Sequence, residues 1–251
     1  MITHRQLDPG DPATIDQLMT VVADEGAAAF DGVAGRPGLL RFAQSALTVY
    51  RHRDSDTDGV TMIHDRGAPA ERAGNLGFGH RQLSLHTESS ARQHPPALMV
   101  LYCASAASAG GACQLLDGAE LVRELAQHDP ELLALLCAPR SVLFGGAAGH
   151  LGSVLTVADT RMSIRLRLDE LAQFSPVLAH RLPDLRKVLT DLMITIRLRP
   201  GSGYALSNTR WLHGRSAFTG DRIMYRLLGE PHDRFSISAG FPSPVPAARV
   251  S

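Results

Sequence analysis

The chain carries no excess of either charge, because its 25 lysines and arginines are matched by 25 aspartates and glutamates over 251 residues. Proteins whose main partner is nucleic acid or an anionic membrane usually present a basic face, so this balance argues against both kinds of partner. The sequence also lacks any apolar run near the ~18 residues that a membrane-spanning helix needs. We therefore expect no nucleic-acid partner and no membrane partner.

Cysteine is scarce as well. The three cysteines, Cys103, Cys113 and Cys137, are odd in number and lack the spacing of a metal site. This pattern favours free thiols in a reducing compartment over a disulfide framework. The first residues contain no apolar signal core. Together these features predict a cytoplasmic protein, and the 44% of apolar residues is enough to bury a core.

Hydrophobic periodicity predicts short strands along most of the chain, with a few helices beside them. The expected helices cover residues 13–30, 37–50, 117–127, 130–137 and 184–196. The expected strands cover residues 60–64, 82–88, 97–104, 112–116, 140–144, 153–157, 161–168, 204–207 and 222–228. Interleaved short strands with helices outside them predict a mainly β fold with flanking helices, built as a double-sheet barrel. The chain has no internal repeat and no linker, so we expect one domain over residues 1–251, with helices in residues 1–50.

The most informative motif joins His86 and Glu88, which are two residues apart on a predicted strand. Side chains two apart on a strand point to the same side, so this pair shares a polar face with Gln82 and Ser84. A polar stripe inside an apolar barrel is costly unless it serves a site. His213, which follows a predicted strand and a turn and lies in the loop between strands 204–207 and 222–228, is the best third ligand. Two imidazoles and one carboxylate are what a 2-His-1-carboxylate iron(II) site requires.

Other ligands and other metals remain open from the residues alone. The chain has 11 histidines, and His80 competes most directly because it lies six residues before His86 on the same strand parity. Two histidines and a glutamate also suit zinc, which would make the protein a hydrolase with a general base beside the metal. A third alternative is a non-catalytic barrel that binds a small ligand.

Two arginines, Arg222 and Arg226, follow the late histidine and are four residues apart. On a strand they share a face with Met224, while Ile223 and Tyr225 pack on the other face. A guanidinium binds a carboxylate through two parallel hydrogen bonds and stays charged in a dry pocket. The pair is therefore predicted to hold a dicarboxylate near the metal.

These signals occur in a fixed order along the chain. The order is the triplet 86–88, the pair Gly110-Gly111, the segment 208–215 and the segment 221–226. This ordered set resembles the clavaminate synthase-like branch of the taurine dioxygenase (TauD/TfdA) family of iron(II)/2-oxoglutarate oxygenases, over residues 82–228. The resemblance implies a double-stranded β-helix, the jelly-roll or cupin-like fold, with those residues as the catalytic core. It also implies iron(II), 2-oxoglutarate and O2 as cofactors.

The resemblance also implies roles for individual residues. The iron ligands, which are also the catalytic residues, would be His86, Glu88 and His213. Arg222 would grip the distal carboxylate of 2-oxoglutarate. Arg226 would lie near the proximal carboxylate or the acidic group of the substrate, and an exchange of roles between the two arginines stays open.

One position departs from the family pattern. Where the family has Gly-Gly-x-Thr, with the threonine hydroxyl helping to hold 2-oxoglutarate, this chain reads Gly110-Gly111-Ala112-Cys113. Cys113 thus occupies a co-substrate-binding position, but a thiol is a weak hydrogen-bond donor. Three outcomes are open: Arg222 suffices, Gln114 or another polar group compensates, or the co-substrate binds weakly.

The implied reaction is oxidation of an unactivated C–H bond, most directly a hydroxylation, while 2-oxoglutarate is converted to succinate and CO2. Desaturation and ring closure are variants of this chemistry. By the same resemblance, the expected substrate is a free or carrier-tethered amino acid, or a small natural-product intermediate. Gln82 and Ser84 are candidate substrate contacts, as is Arg226. The glycine-rich segment 145–150 and the loop 65–79 are candidate lids.

Overall fold

Two β-sheets face each other in the computed structural model, which describes residues 2–67, 74–146 and 148–244. The larger sheet has seven strands and the smaller has four, and shorter sheets of two or three strands complete the fold. Helices cover the outer face of each main sheet. This arrangement confirms the predicted mainly β jelly-roll fold with flanking helices.

The elements alternate between short strands and a few helices. The strands are β1 (Thr3–Gln6), β2 (Ala27–Asp31), β3 (Leu47–Tyr50), β4 (Thr61–Ile63), β5 (Leu83–His86), β6 (Leu98–Ser105), β7 (Ala109–Gly110), β8 (Cys113–Asp117), β9 (Val142–Phe144), β10 (His150–Gly152), β11 (Leu155–Ala158), β12 (Arg161–Ile164), β13 (Ala172–Phe174), β14 (Ile194–Ile196), β15 (Gly203–Ser207), β16 (Trp211–Arg215), β17 (Phe218–Thr219), β18 (Ile223–Pro231) and β19 (Phe241–Pro242). The helices are α1 (Pro12–Glu25), α2 (Gly35–Ala46), α3 (Gly118–His128), α4 (Pro130–Cys137), α5 (Pro176–His180) and α6 (Leu182–Leu192).

The larger sheet runs in the order β1-β2-β15-β6-β18-β3, and β4 also pairs with β18. Its neighbours are antiparallel except for β1 and β2, which are parallel. The smaller sheet runs β14-β8-β16-β5 and is antiparallel throughout. Along the chain, β5, β6 and β8 alternate between the sheets, and so do β14, β15 and β16. This is the interleaving that the sequence predicted.

The strand β6 lies inside the larger sheet and is buried on both faces. Met99 and Leu101 point into the core between the two sheets. Val100 and Tyr102 point outward and pack with the apolar faces of α1 and α2. Burial of an apolar side chain of this size stabilises the folded state by about 1.5–3 kcal/mol, so a doubly buried strand anchors both layers.

The outer face of the smaller sheet is covered by the remaining helices. Leu116 and Leu212 of this sheet belong to one core cluster with leucines of α3, α4, α5 and α6. Asp117 caps α3 by accepting a hydrogen bond from the backbone N–H of Ala119 at 3.0 Å. The helices predicted at 117–127 and 130–137 are thus confirmed to within a residue at each end.

The predicted helix over residues 13–30 is wrong over its last five residues. Helix α1 ends at Glu25 because Gly26 adopts φ +77°, the left-handed conformation that glycine tolerates, and caps the helix with its N–H on Val22. Residues 27–31 then form β2, which pairs with β15 and β1. Alanine has a high helix propensity, but the ladder hydrogen bonds of two neighbouring strands override it here.

Two further helix predictions are too long for the same reason. The helix predicted at 37–50 ends at Ala46, and the next four residues form β3 against β18. The helix predicted at 184–196 ends at Leu192, and residues 194–196 form β14 against β8. In each case the strand partner is distant in sequence, so periodicity within the segment could not reveal it.

Among the described residues, every helix is too short or too polar to span a lipid bilayer. All three cysteines are free thiols, with Cys103 and Cys113 buried and Cys137 partly so, as the sequence predicted.

Candidate metal centre and its cavity

Two histidines meet across neighbouring strands of the smaller sheet. His86 ends β5, His213 lies in the middle of β16, and the two residues are direct partners in the strand register. Their ring centroids are 4.2 Å apart. The sequence predicted that His213 lies in a loop between strands, and this is wrong. Residues 211–215 form a strand because they pair on one side with β8 and on the other with β5.

Glu88 supplies a carboxylate to the same place from the turn after β5. The strand predicted through residue 88 in fact ends at His86. The backbone of Glu88 is held by the buried side chain of Asn208, whose Oδ1 accepts from the Glu88 N–H at 2.7 Å. The Nδ2 of Asn208 donates to the carbonyl oxygens of Glu88 at 3.1 Å and Pro96 at 2.8 Å. In the sequence, Asn208 was noted only as part of the segment 208–215, and this positioning role was not predicted.

The three side chains form a compact donor set. Oε1 of Glu88 is 3.4 Å from Nε2 of His213 and 4.0 Å from Nε2 of His86. One ligand atom from each residue lies within 4.8 Å of the others, and no other group of His, Cys, Asp or Glu in the described residues is brought together in this way. His80, the competing histidine, instead contacts Asp65 at 3.0 Å and packs on a phenylalanine ring.

The protonation states suit metal binding. Nδ1 of His86 donates to the carbonyl oxygen of Ser84 at 2.9 Å, which leaves the Nε2 lone pair free. Burial, reinforced by His213, lowers the pKa of His86 to about 3, so this imidazole is neutral. Burial alone would raise the pKa of Glu88, but Arg226 and the two histidines outweigh it and hold that pKa well below its ordinary value. Two imidazoles, of which His86 is neutral, and an ionised carboxylate fit a divalent transition metal such as iron(II).

The two predicted arginines lie on the same side of β18 and reach the site differently. Nη1 of Arg226 donates to Oε1 of Glu88 at 2.5 Å. Arg222 immediately precedes β18 and is buried, with its Nη2 4.0 Å from the thiol of Cys113. Within the described ranges no carboxylate lies at salt-bridge distance from Arg222. A buried cation of this kind needs an anion, which a bound ligand can supply.

A third buried arginine, Arg215 on β16, was not singled out from the sequence. Its Nη2 donates to the carbonyl oxygen of Arg81 at 2.8 Å, and its guanidinium lies over the ring of Phe218 at 4.7 Å. Burial, with the neighbouring Arg222, lowers the pKa of Arg215 to about 10, so it still carries its charge at neutral pH. The segment His213-Gly214-Arg215 in the sequence was the signal that could have identified it.

One cavity of about 420 Å³ is lined by the three candidate metal ligands and the three arginines. Its walls include every site residue predicted from the sequence: His86, Glu88, His213, Arg222, Arg226, Cys113, Gln82 and Ser84. Gln82 and Ser84 are exposed to solvent, whereas Cys113 and Arg222 are buried. Of the predicted lid segments, residues 74, 76–78 and 145 line the cavity. Residues 68–73 and 147 of those segments lie outside the described residues.

Comparison with protein families finds a match over most of the chain. The model of the "Taurine catabolism dioxygenase TauD, TfdA family" matches residues 3–228. Among curated proteins, the gamma-butyrobetaine dioxygenases of Homo sapiens and Pongo abelii are each 24% identical over 224 residues, covering 79% of this chain and 54% of the relative. The chain thus spans about half the length of the curated relatives that it matches.

Solved structures share the fold at low sequence identity. An asparagine oxygenase superposes with a TM-score of 0.73 at 19% identity, covering 87% of this chain and 79% of that chain. The non-heme iron oxygenase OrfP, solved with Fe and alpha-ketoglutaric acid, gives 0.64 at 16% identity, covering 91% and 94%. The PvcB protein of Pseudomonas aeruginosa gives 0.66 at 17% identity, covering 96% and 89%.

Proposed function

Because the chain belongs to the TauD/TfdA family of taurine catabolism dioxygenases, we propose that it is an iron(II)- and 2-oxoglutarate-dependent oxygenase. The family is the one that the sequence predicted. The observation that carries the proposal is a coincidence inside one cavity. A cluster of two histidines and Glu88 shares that cavity with Arg222, a buried cation that has no carboxylate partner in the described part of the chain.

The overall reaction is a hydroxylation in which substrate RH, O2 and 2-oxoglutarate become ROH, succinate and CO2. In this proposal His86, Glu88 and His213 hold the iron. Bound iron(II) supplies the activation of O2 that, together with decarboxylation of 2-oxoglutarate, drives cleavage of the C–H bond. Desaturation or ring closure would use the same residues.

The chain's own groups would prepare the site for this chemistry. The Ser84 carbonyl fixes the tautomer and ring orientation of His86, and Asn208 fixes the backbone of Glu88. Arg222 would bind the distal carboxylate of 2-oxoglutarate in the buried part of the cavity. Arg226 would lie between Glu88 and the proximal carboxylate or the substrate. Apolar walls such as Met99 would exclude water from reactive species.

Charge in the outer part of the cavity favours a substrate that is not a cation. Asp54 lies 3.3 Å from nitrogens of Arg53 and Arg66, and Asp169 is held by Arg167 through two hydrogen bonds of 2.5 and 2.8 Å. The acids that line this cavity are therefore already paired within the chain.

One arginine of the outer cavity is left without an acidic partner within the described ranges. Arg92, stacked 4.7 Å over the ring of Tyr50, has no carboxylate partner among the residues that the structure describes. An amino acid or small natural product bearing a carboxylate fits this balance, either free or tethered to a carrier. Gln82 and Ser84 would contact it together with Arg226. One of the solved relatives was determined with Fe(II), 3-hydroxyasparagine and succinate, which supports an amino-acid-like substrate.

We further propose that residues 82–228 form the catalytic core of a single oxygenase domain.

We also propose that the protein is located in the cytoplasm. The three free thiols support a cytoplasmic protein, where cysteines stay reduced.

The test is anaerobic addition of Fe(II) and then 2-oxoglutarate to the metal-free protein. A weak visible charge-transfer band should appear, and on admission of O2 the protein should form succinate. His213→Ala should abolish the band, whereas His80→Ala should keep it. A band that survives His213→Ala, or the absence of any band in the unmodified protein, would contradict the proposal.

Two alternatives are separated by further measurements. A zinc hydrolase built on the same three ligands has no need of a dicarboxylate pocket, so it would be indifferent to Arg222→Ala. The oxygenase should lose affinity for 2-oxoglutarate in that variant. A non-catalytic barrel that only binds a small ligand would form no succinate under any condition.

A further inference from the structure

A tyrosine that the sequence did not single out lies in the buried part of the cavity. Tyr204 is the second residue of β15, and its side chain points into the core between the two sheets. It is completely buried. Cys113, on the opposite sheet, belongs to the same core cluster, and both side chains line the cavity together with Arg222.

The hydroxyl of Tyr204 is an orphan. It is buried and makes no well-formed hydrogen bond to any described residue, because its interaction with the Cys113 thiol is weak. Its polar neighbours are the thiol of Cys113, which is a weak partner, and the guanidinium of Arg222, which can only donate. Buried hydroxyls in folded proteins are nearly always paired, so an unpaired one facing a ligand cavity calls for a partner brought by the ligand.

The Tyr204 hydroxyl and the Arg222 guanidinium can both donate hydrogen bonds to the same anionic acceptor. Burial raises the pKa of Tyr204 well above its ordinary value, so the hydroxyl stays protonated and can donate. Arg222 offers further donors and has no carboxylate partner within the described ranges. A carboxylate has about four lone-pair sites and can accept both a guanidinium and a hydroxyl. A neutral group would leave the arginine uncompensated.

Building on the proposed function, we propose that Tyr204 donates its hydroxyl hydrogen to the distal carboxylate of 2-oxoglutarate, beside Arg222. Cys113 stands at the edge of the same subsite and offers only a thiol. Tyr204 is then the polar group that makes up for the missing hydroxyl at position 113. Tyr204 lies on the larger sheet and Cys113 on the smaller, so the compensating hydroxyl comes from the sheet opposite Cys113.

The test removes the hydroxyl alone. Tyr204→Phe should weaken the affinity of the Fe(II)-loaded protein for 2-oxoglutarate about tenfold or more under anaerobic conditions, as expected for a hydrogen bond to a charged group. Affinity is measured by calorimetry and by the visible band. The affinity for 2-oxopentanoate, a keto acid without the distal carboxylate, should be the same in both proteins. Equal losses for both ligands, or no loss for either, would overturn the proposal.

Stability of the ligand-free protein separates a binding role from a structural one. Because the hydroxyl has only the weak thiol of Cys113 beside it before the ligand arrives, Tyr204→Phe should leave Tm unchanged or raise it. Tyr102→Phe is the matched control, since that buried hydroxyl donates to Val33 at 3.2 Å and accepts from Gly35 at 3.0 Å. The control should lower Tm and leave the affinity for 2-oxoglutarate unchanged. A lower Tm for ligand-free Tyr204→Phe would argue that the hydroxyl is structural and overturn the proposal.

A rescue variant tests the geometry of the subsite. Cys113→Thr places a hydroxyl beside Arg222, so adding it to Tyr204→Phe should restore most of the lost affinity. Failure of that rescue would contradict the placement of the carboxylate between these residues. If the unmodified protein bound 2-oxopentanoate and 2-oxoglutarate equally, or bound neither, the proposed function itself would fail. Normal binding by both the unmodified protein and Tyr204→Phe would overturn only the role of Tyr204.

Discussion

Arg226 donates a hydrogen bond from Nη1 to Oε1 of Glu88 at 2.5 Å, and both side chains are nearly closed off from solvent. The pair joins β18 of the larger sheet to the turn that follows β5 of the smaller sheet. It keeps Glu88 ionised and aimed at the two histidines. A residue expected to hold a ligand carboxylate therefore also holds the carboxylate of a predicted metal ligand.

Removal of Arg226 should leave the buried carboxylate of Glu88 without its ion-pair partner. We expect Arg226→Met to lower the free energy of unfolding of the metal-free protein by about 3–5 kcal/mol, as measured by urea denaturation, because Glu88 is left without its partner. Added Fe(II) or Co(II) should recover more stability in this variant than in the unmodified protein, since the metal then compensates the carboxylate.

The matched control for this variant is an exposed ion pair. Arg234 lies 2.6 Å from Asp16 with about half of each side chain exposed. Arg234→Met should cost less than about 1 kcal/mol, because solvent screens such pairs. Equal effects of the two substitutions on the free energy of unfolding would show that burial does not strengthen the Arg226–Glu88 pair.

Asn208 should support metal binding without touching the metal. Asn208→Ala removes three hydrogen bonds that hold the backbones of Glu88 and Pro96. Loss of groups that orient metal ligands typically weakens metal affinity by about 10–100-fold, and we expect an effect of that size by calorimetry with Co(II). Ser207→Ala, at the neighbouring buried position, should change the affinity little. Unchanged affinity in Asn208→Ala would contradict the positioning role.

The stability of the metal-free protein should fall as the pH drops below 6.5. The folded protein lowers the pKa of His86 from 6.5 to about 3, so within this interval the unfolded chain holds a proton that the folded chain does not. Acid therefore favours unfolding, by about 1.4 kcal/mol per pH unit for one such group. Well above pH 6.5 His86 is unprotonated in both the folded and the unfolded chain, so it adds no pH dependence there.

The His86 contribution is isolated by a variant. His86→Gln should flatten the decline between pH 5 and pH 6.5 by up to that slope, as followed by urea denaturation at each pH. Glu88 contributes little to the difference, because its pKa is lowered from 4.5 in the folded protein and the unfolded carboxyl is mostly ionised above pH 5. Identical pH profiles for the two proteins would show that His86 titrates normally in the folded chain.

Substrate charge should follow the pairing of the cavity acids. In a panel of amino acids, those with neutral or acidic side chains should stimulate succinate formation more than arginine or lysine does, because Asp54 and Asp169 are already compensated. Arg167→Met frees Asp169 and should improve relative turnover with the basic amino acids. Arg181→Met, which disturbs a similar pair with Asp129 away from the cavity, should not. If arginine stimulated succinate formation by the unmodified protein more than the neutral and acidic amino acids do, the charge argument would be contradicted.

The sequence by itself was enough to name the candidate metal ligands and the arginine pair. The spacing of His86 and Glu88, the late His213 and the pair of arginines named residues that line one cavity. The buried strand near residues 97–104 could also be predicted, because an uninterrupted apolar run indicates a buried strand whichever strands it pairs with. Such local signals depend only on neighbours along the chain.

Other features were decided only by the tertiary structure. Pairing with β15 made residues 27–31 a strand, and pairing with β5 and β8 moved His213 from a predicted loop into a sheet. The ion pair of Arg226 with Glu88 and the orphan hydroxyl of Tyr204 arise where two sheets face each other. The physical reason is that strand pairing and sheet packing join residues far apart in sequence, and no periodicity within a segment records which partner it will meet.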